Sequence, residues 1–290
     1  MAYWVLTWLF AFIQFSYAEE KVLAVVSYKS SLYENFYESL ESKLDEKIIL
    51  EKTAIADLRE KNLSAYDLVI SIGSDASKIL SRTGNINSLL YTLIPGTLAE
   101  SIGKRPCLAK KCLSVLIEQP ADRYFQLFKL IFPRNRTLAI ATTSKDPGYL
   151  AQLKSTAQKY STQLKIIPID KNTIIARSLI KGLTKNDVLL ALPDPNIYNK
   201  DTAKSIILSA YHKNVPIIGY SQAFAKAGAL ISLYSSLDDI ASQTEKLASN
   251  SRGNTKNYYP NAFSIEINRS VAVSLEIQIK DINELMRAIK

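Results

Sequence analysis

The side chains with chemistry to offer in this sequence stand at or just beyond the ends of apolar runs. In the first half they are Ser27, Tyr28 and Ser30 at the end of VLAVVS, then Gly73, Ser74 and Asp75 after DLVISI, then Pro95, Gly96 and Thr97 after SLLYTLI. In the second half they are Thr142, Thr143, Ser144 and Asp146, then Asp194, Asn196 and Tyr198, then Ser221 and Gln222. Hydroxyls, amides and one or two carboxylates suit hydrogen bonding to a small polar molecule, and Tyr28 and Tyr198 are suited to stack on a ring. Ser, Asp and Asn after a strand cap helices by default. Asn199, however, already stands where the cap of the next helix is needed, so Asp194 and Asn196 are surplus to capping.

Catalytic chemistry finds little support. The chain has no G-x-S-x-G elbow, no G-x-x-x-x-G-K-[ST] phosphate loop and no G-x-G-x-x-G fingerprint, and its single histidine, His212, argues against a His-based triad or metal centre. A non-catalytic binding module without metal or cofactor is expected.

The elements that must position these residues alternate. From Lys21 onward, short β-rich runs (22–27, 47–52, 67–73, 88–94 and 114–118) alternate with helical or loop segments. Tyr33, Phe36, Tyr37, Leu40 and Leu44 share one helical face, with Ser31 and Glu34 as a capping box. An aromatic-rich helix over 121–132 follows, and then the alternation resumes at 137–143, 164–169, 187–192, 215–221 and 229–235. Repeated βα units imply parallel sheets covered on both faces. Two doubly wound α/β lobes joined by multiple crossovers are predicted. One lobe takes 19–120 with about 236–255, and the other takes 121–235 with about 256–290. In such sheets ligands bind beyond the carboxyl ends of the strands, where helix N-termini present unpaired N–H groups.

Residues 1–18, MAYWVLTWLFAFIQFSYA, carry no Lys, Arg, Asp or Glu and end in Ser16-Tyr17-Ala18. An apolar run of about a dozen residues is too short to span a bilayer, so the segment reads as a signal peptide cleaved after Ala18. Removing 18 of the 290 residues leaves 272, enough for two domains, with the whole net charge of +9. In an exported chain the only cysteines, Cys107 and Cys112, are expected to form a local disulfide. The basic residues are spread along the chain, with Lys104, Arg105, Lys110 and Lys111 the one cluster and no ribonucleoprotein-type aromatic motif among them. A solvated surface is the expectation, with attraction to anionic lipid headgroups or an anionic ligand the other reading and nucleic acid not expected.

Three stretches carry a likeness to a known family: DRYFQLFKLIFPRNRTLAI, the long segment from LPDPNIYNKDTAK to SQTEKLA, and INRSVAVSLEIQIKDINEL. Together they resemble uncharacterised ABC-transporter substrate-binding proteins of the type I periplasmic binding fold, mostly from residue 120 onward. Asp194-Pro195-Asn196 matches a variant of the family's "DN" after a second-lobe strand, and Lys226-Ala227-Gly228-Ala229-Leu230 matches its "kaGAl". The resemblance implies that Asp194 and Asn196 face the cleft, with Thr143-Ser144 and Asp146-Pro147-Gly148 beside it. It also implies a small-molecule solute captured by hinge closure, with aromatic amino acids among the family's ligands. A periplasmic monomer delivering to an inner-membrane ABC permease is the expected setting, with a ligand-sensing or adaptor protein on the same fold as the alternative. The first strand ends in Ser27-Tyr28-Lys29-Ser30, where the family commonly carries His-Pro.

Overall fold

The computed structural model describes residues 19–132, 136–143, 147–170, 174–249 and 256–289. The proposed signal segment therefore lies outside the described residues. In the first half the chain runs β1 (Glu20–Val26), α1 (Ser31–Glu41), β2 (Ile48–Ala54), β3 (Leu68–Ile72), α2 (Ser74–Leu80), β4 (Ser88–Ile94), α3 (Gly96–Gly103) and β5 (Lys111–Leu116). In the second it runs α4 (Ala121–Ile131), β6 (Thr137–Thr142), α5 (Pro147–Lys159), β7 (Gln163–Pro168), α6 (Ile175–Gly182), β8 (Asp187–Leu190), α7 (Ala203–His212), β9 (Ile217–Gly219), α8 (Gln222–Ala227) and β10 (Ile231–Tyr234). Then come α9 (Leu237–Ser249), β11 (Lys256–Tyr258), β12 (Ser264–Ile267), α10 (Arg269–Ser274) and α11 (Ile282–Ala288). No helix among the described residues is long and apolar enough to cross a membrane.

Two six-stranded sheets result, ordered β2-β1-β3-β4-β5-β11 and β7-β6-β8-β9-β10-β12. Every pairing is parallel except β10 with β12. Val22 to Val25 in β1 are fully buried, as are most residues of β3 and β8, because helices cover both faces of each sheet. Each sheet accordingly has two cores. Phe36, Leu40, Ile70 and Ile240 lie on one side of the first, with Leu23, Val69, Leu80 and Ile94 on the other. Phe125, Phe128, Leu138 and Leu285 pack on one side of the second, and Leu189, Ile206, Ala210 and Ile217 on the other.

The strand order reverses between β1 and β3 in the first sheet and between β6 and β8 in the second. At such a switch point the loops leave in opposite directions and open a crevice. The segments after β1, β3, β6 and β8 are those that carry Tyr28, Ser74, Thr143 and Asp194, so the topology itself selects these positions.

Three expectations are refined. The first lobe's late segment, expected to end at about 255, runs a little further, since Lys256–Tyr258 pairs with Leu113–Val115 and extends the first sheet. Three residues give no legible alternation, and it is the packing of Tyr258 on the first lobe's core that places them. The cap of α1 is Ser30 rather than Ser31. Ser30 Oγ accepts from the Tyr33 amide, while Glu34 turns to Lys52. Asn199 does not begin α7. Its Oδ1 accepts from the Asp201 and Thr202 amides and shapes the turn before the helix starts at Ala203.

The chain crosses between the sheets three times, at 117–120, 235–236 and 259–263, and side chains tie the crossings together. Gln119 Nε2 donates to Ser235 Oγ at 2.7 Å, and Ser235 Oγ donates to the Ala262 carbonyl. The Arg123 guanidinium donates to Gln119 Oε1 at 2.7 Å, to the Pro260 carbonyl at 2.9 Å and to the Asn261 carbonyl at 2.8 Å. It also lies 4.7 Å from the Phe263 ring centroid. Gln243 completes the set, donating to the Tyr259 carbonyl and accepting from the Asn261 amide. Cys107 and Cys112 form a disulfide that ties the segment before β5 to the strand's second residue.

Candidate functional site

A cavity of about 410 Å³ opens where the two sets of strand ends face each other. From the first half it is walled by Tyr28, Ser30, Tyr33, Ser74 and Pro95, and from the second by Pro193, Asp194, Tyr198, Tyr220 and Ser221. Each half contributes an aromatic wall. Tyr28 meets Tyr33 edge-on at 4.9 Å and 67°, while Tyr198 meets Phe224 edge-on at 5.6 Å and 81°, with Tyr220 4.8 Å from Phe224. Tyr33 is held close by Gly73, whose φ of +93° favours glycine and where a Cβ would lie 2.5 Å from the Tyr33 hydroxyl. Tyr28 and Leu32 remain 56% and 50% exposed at the rim, apolar surface that closure or a ligand would cover.

The polar groups divide by what they are already bonded to. Ser30 and Ser221 cap α1 and α8, each Oγ accepting a helix amide at 3.3 Å. Asp194 is buried, and its carboxylate is saturated. Oδ2 accepts from the Thr143 amide at 3.2 Å and the Thr143 hydroxyl at 2.7 Å, and Oδ1 accepts from the Asn196 amide and the Asn196 side-chain nitrogen, both at 3.0 Å. These four donors account for the four acceptor positions of a carboxylate. Asp194 thus borders the cavity yet works by tying the segment after β8 to the end of β6. Tyr198 differs: its hydroxyl is buried without a hydrogen-bond partner among the described residues. Burial, with Tyr220 and Asp194 adding, pushes this phenol well above its ordinary range, and burial pushes Tyr220 up to about 12, so both stay protonated.

The remaining expected residues distribute unevenly. Thr97, Thr143 and Asn196 line a side chamber of about 360 Å³ that shares Ser74 and Asp194 with the main cavity. Three others lie away from both. Ser27 is buried, donating to the Ile72 carbonyl and accepting from the Ala76 amide at 2.9 Å each, so it clips β1, β3 and α2 together. Asp75 pairs with Lys78 on the exposed face of α2. Gln222 points to Glu266 at the surface, 3.4 Å away. Ser144 and Asp146 lie outside the described residues. Sequence reasoning overlooked Tyr33, Tyr220, Ile117 and Ser235, which line the cavity but read as core or strand. The available signal for Tyr220 was its place between Gly219 and the cap Ser221. Among the described residues no group of three His, Cys, Asp or Glu could hold a metal ion.

At the first crossing, Glu118 is buried with Oε1 accepting from the Gly96 amide and Oε2 without a partner among the described residues. Burial raises its carboxyl to about 7. Glu100 adds to the rise, while the Gly96 amide and Glu118's own amide oppose it. The folded protein therefore keeps a proton that the unfolded chain releases near pH 4.5. Stability from this group is full below that pH and is lost as pH rises through about 7, by about 3 kcal/mol at most. Melting temperatures at pH 5 and pH 8 should show a fall in the native chain that Glu118→Gln lacks. Parallel pH profiles for the two would show that Glu118 titrates normally.

Two wound lobes with a hydroxyl- and aromatic-lined cleft between their strand ends define a bilobal solute-binding protein. The chain matches the model of the ABC transporter substrate binding protein family over residues 37–283, and it belongs to that family. No curated protein matches it. Among solved structures it is similar to the ABC domain from Streptococcus pneumonia in complex with L-Trp, at 16% identity and a TM-score of 0.66, covering 94% of this chain and 99% of that one. It is also similar to a ligand-free, open substrate binding protein with adhesive properties from Clostridium difficile, at 17% identity, TM-score 0.63, and 90% and 96% coverage. A putative ribose operon repressor from Burkholderia thailandensis shares the fold at 11% identity, TM-score 0.53, and 87% and 100% coverage.

Proposed function

We propose that this protein is the exported solute-binding component of an ABC importer, which captures a small solute, an amino acid being one compatible class, in the interlobe cleft by hinge closure. The observation that carries the reading is the cavity of about 410 Å³ lined from both halves, within the size range of small-molecule sites. A ligand touching Tyr28, Ser30 and Ser74 on one wall and Tyr198 and Ser221 on the other stabilises the closed form by its extra affinity for that form. Family membership supports the solute-binding role, and the neighbour in complex with L-Trp supports a ring-bearing ligand. In this reading residues 1–18 are a secretion signal removed after Ala18, the mature chain works as a periplasmic monomer, and an inner-membrane ABC permease reads the closed shape. A ligand sensor signalling to a membrane partner is the second reading, favoured by the repressor that shares the fold.

Thermal unfolding of the mature chain against a metabolite library tests capture. A true ligand at 100 times its dissociation constant adds about 2.7 kcal/mol, and its complex should be more compact in small-angle scattering. A library without one stabilising solute would overturn the importer reading. Loss of uptake on deletion separates importer from sensor.

A further inference from the structure

The basic cluster of the sequence takes a place in the fold that solute capture does not use. Segments that follow β1, β3 and β4 line the cleft, so the loops that precede β4 and β5 lie at the opposite end of this parallel sheet. That far end carries Arg82, between α2 and β4, and Lys104, Arg105 and Lys110, between α3 and β5, all four exposed. The two loops are joined. Lys110 Nζ donates to Asn87 Oδ1 at 3.0 Å, and Arg82 and Arg105 border one small cleft between α2 and α3. The Cys107–Cys112 disulfide braces the second loop against β5.

The described residues offset little of this charge. Arg82 and Arg105 make no side-chain hydrogen bond or ion pair among them, and the partner of Lys110 is a neutral amide. From Ala76 to Ile117 the sequence holds one acid, Glu100, and the neighbouring turn 62–66, whose Ser64 and Tyr66 carbonyls accept from Asn87, holds none. Cations beside the last turns of α2 and α3 do offset the helix dipoles. Each such end carries only about half a negative charge, so four cations exceed what two helix ends can use. Apolar side chains stand among them. Ile79 in the last turn of α2 is exposed, and Leu108 in the disulfide-closed loop is 54% exposed. A polyanion in solution would meet the cations and leave these side chains in water, whereas a bilayer takes both: headgroups attract the cations and the acyl boundary accepts the apolar groups.

We propose that this far end of the first lobe is a docking surface for anionic phospholipid headgroups, which holds the protein on a membrane while leaving the cleft unobstructed, whichever solute the cleft takes. Flotation of the mature chain with phosphatidylcholine vesicles containing about 30 mol% phosphatidylglycerol tests it. The chain should float with these vesicles, stay behind with phosphatidylcholine alone, and come off as salt rises to about 0.5 M. Replacing Arg82, Lys104, Arg105 and Lys110 together with glutamine should weaken binding at least about a hundredfold, since each cation near such a surface is worth about fivefold. The same change at Lys154, Lys200, Lys204 and Lys226, exposed on the second lobe, gives a variant of equal net charge that should bind within about fivefold of the native chain. Both variants should melt with the native chain, and Leu108→Ser should weaken binding several-fold without changing its salt dependence. Equal losses in the two quadruple variants would overturn the proposal, because net charge alone would then drive adsorption. No flotation at low salt would overturn it as well, as would retention by dextran sulfate with none on vesicles, and unchanged affinity in Leu108→Ser would overturn the assignment to lipid.

Discussion

Replacing Asp194 with alanine should lower the melting temperature of the unliganded protein by about 5–10 °C, corresponding to about 2–4 kcal/mol. The side chain is buried, and removing it strands four donors: the Thr143 amide and hydroxyl and the two nitrogens of Asn196. The amide of Tyr198 also donates to the Asp194 carbonyl at 2.8 Å, so the turn that carries the tyrosine loosens with its anchor. Ligand affinity should fall in the same variant, through misplacement of Tyr198 rather than loss of a contact. Asp194→Asn retains one acceptor oxygen and should cost about half as much. A melting temperature within 2 °C of the native chain, read by calorimetry without ligand, would mean that the tether carries no weight.

The second large effect is expected at Arg123. Its guanidinium joins the first crossing to the third and packs on Phe263, and no other side chain in the crossings donates to both Pro260 and Asn261. Arg123→Met keeps the stem and removes the fork. It should cost about 2–3 kcal/mol and increase amide exchange at 117–120 and 259–263 by about a hundredfold, while exchange in β1 and β3 moves little. Arg123→Lys should rescue only in part, because a point charge cannot reach all three acceptors in fixed geometry. Unchanged exchange at the crossings would show that they are held by packing alone. Solute affinity in Arg123→Met should also fall, since an untied hinge closes at greater entropic cost.

Much of the fold could be read from local pattern. The continuous apolar runs of β1, β3, β4, β6 and β8 and the one-sided spacing of α1 and α4 point to two doubly wound sheets, and the strand-end rule places Tyr28, Ser74 and Asp194 beside the cavity. What escaped depends on distance along the chain. Arg123 reaches residues 137 and 138 positions away, and Gln119 reaches one 116 positions away, so no window of sequence holds either contact. Tyr33 satisfied a helical stripe and Tyr220 extended a strand, and each hid a cavity-facing ring behind a core role. The tether at Asp194 was illegible for the same reason as the Arg123 contacts: its Thr143 partner lies 51 positions away.

The three crossings also govern when the molecule can fold. The first sheet lacks its edge strand and the cover of Ile240, Ala241 and Ala248 until residues 237–258 have emerged, and the second lacks β12 and the α11 residue Leu285 until the last few dozen have followed. The first half cannot mature until residues 237–258 have emerged, and the second waits for the last few dozen, so a nascent chain stays incomplete until almost its full length is available.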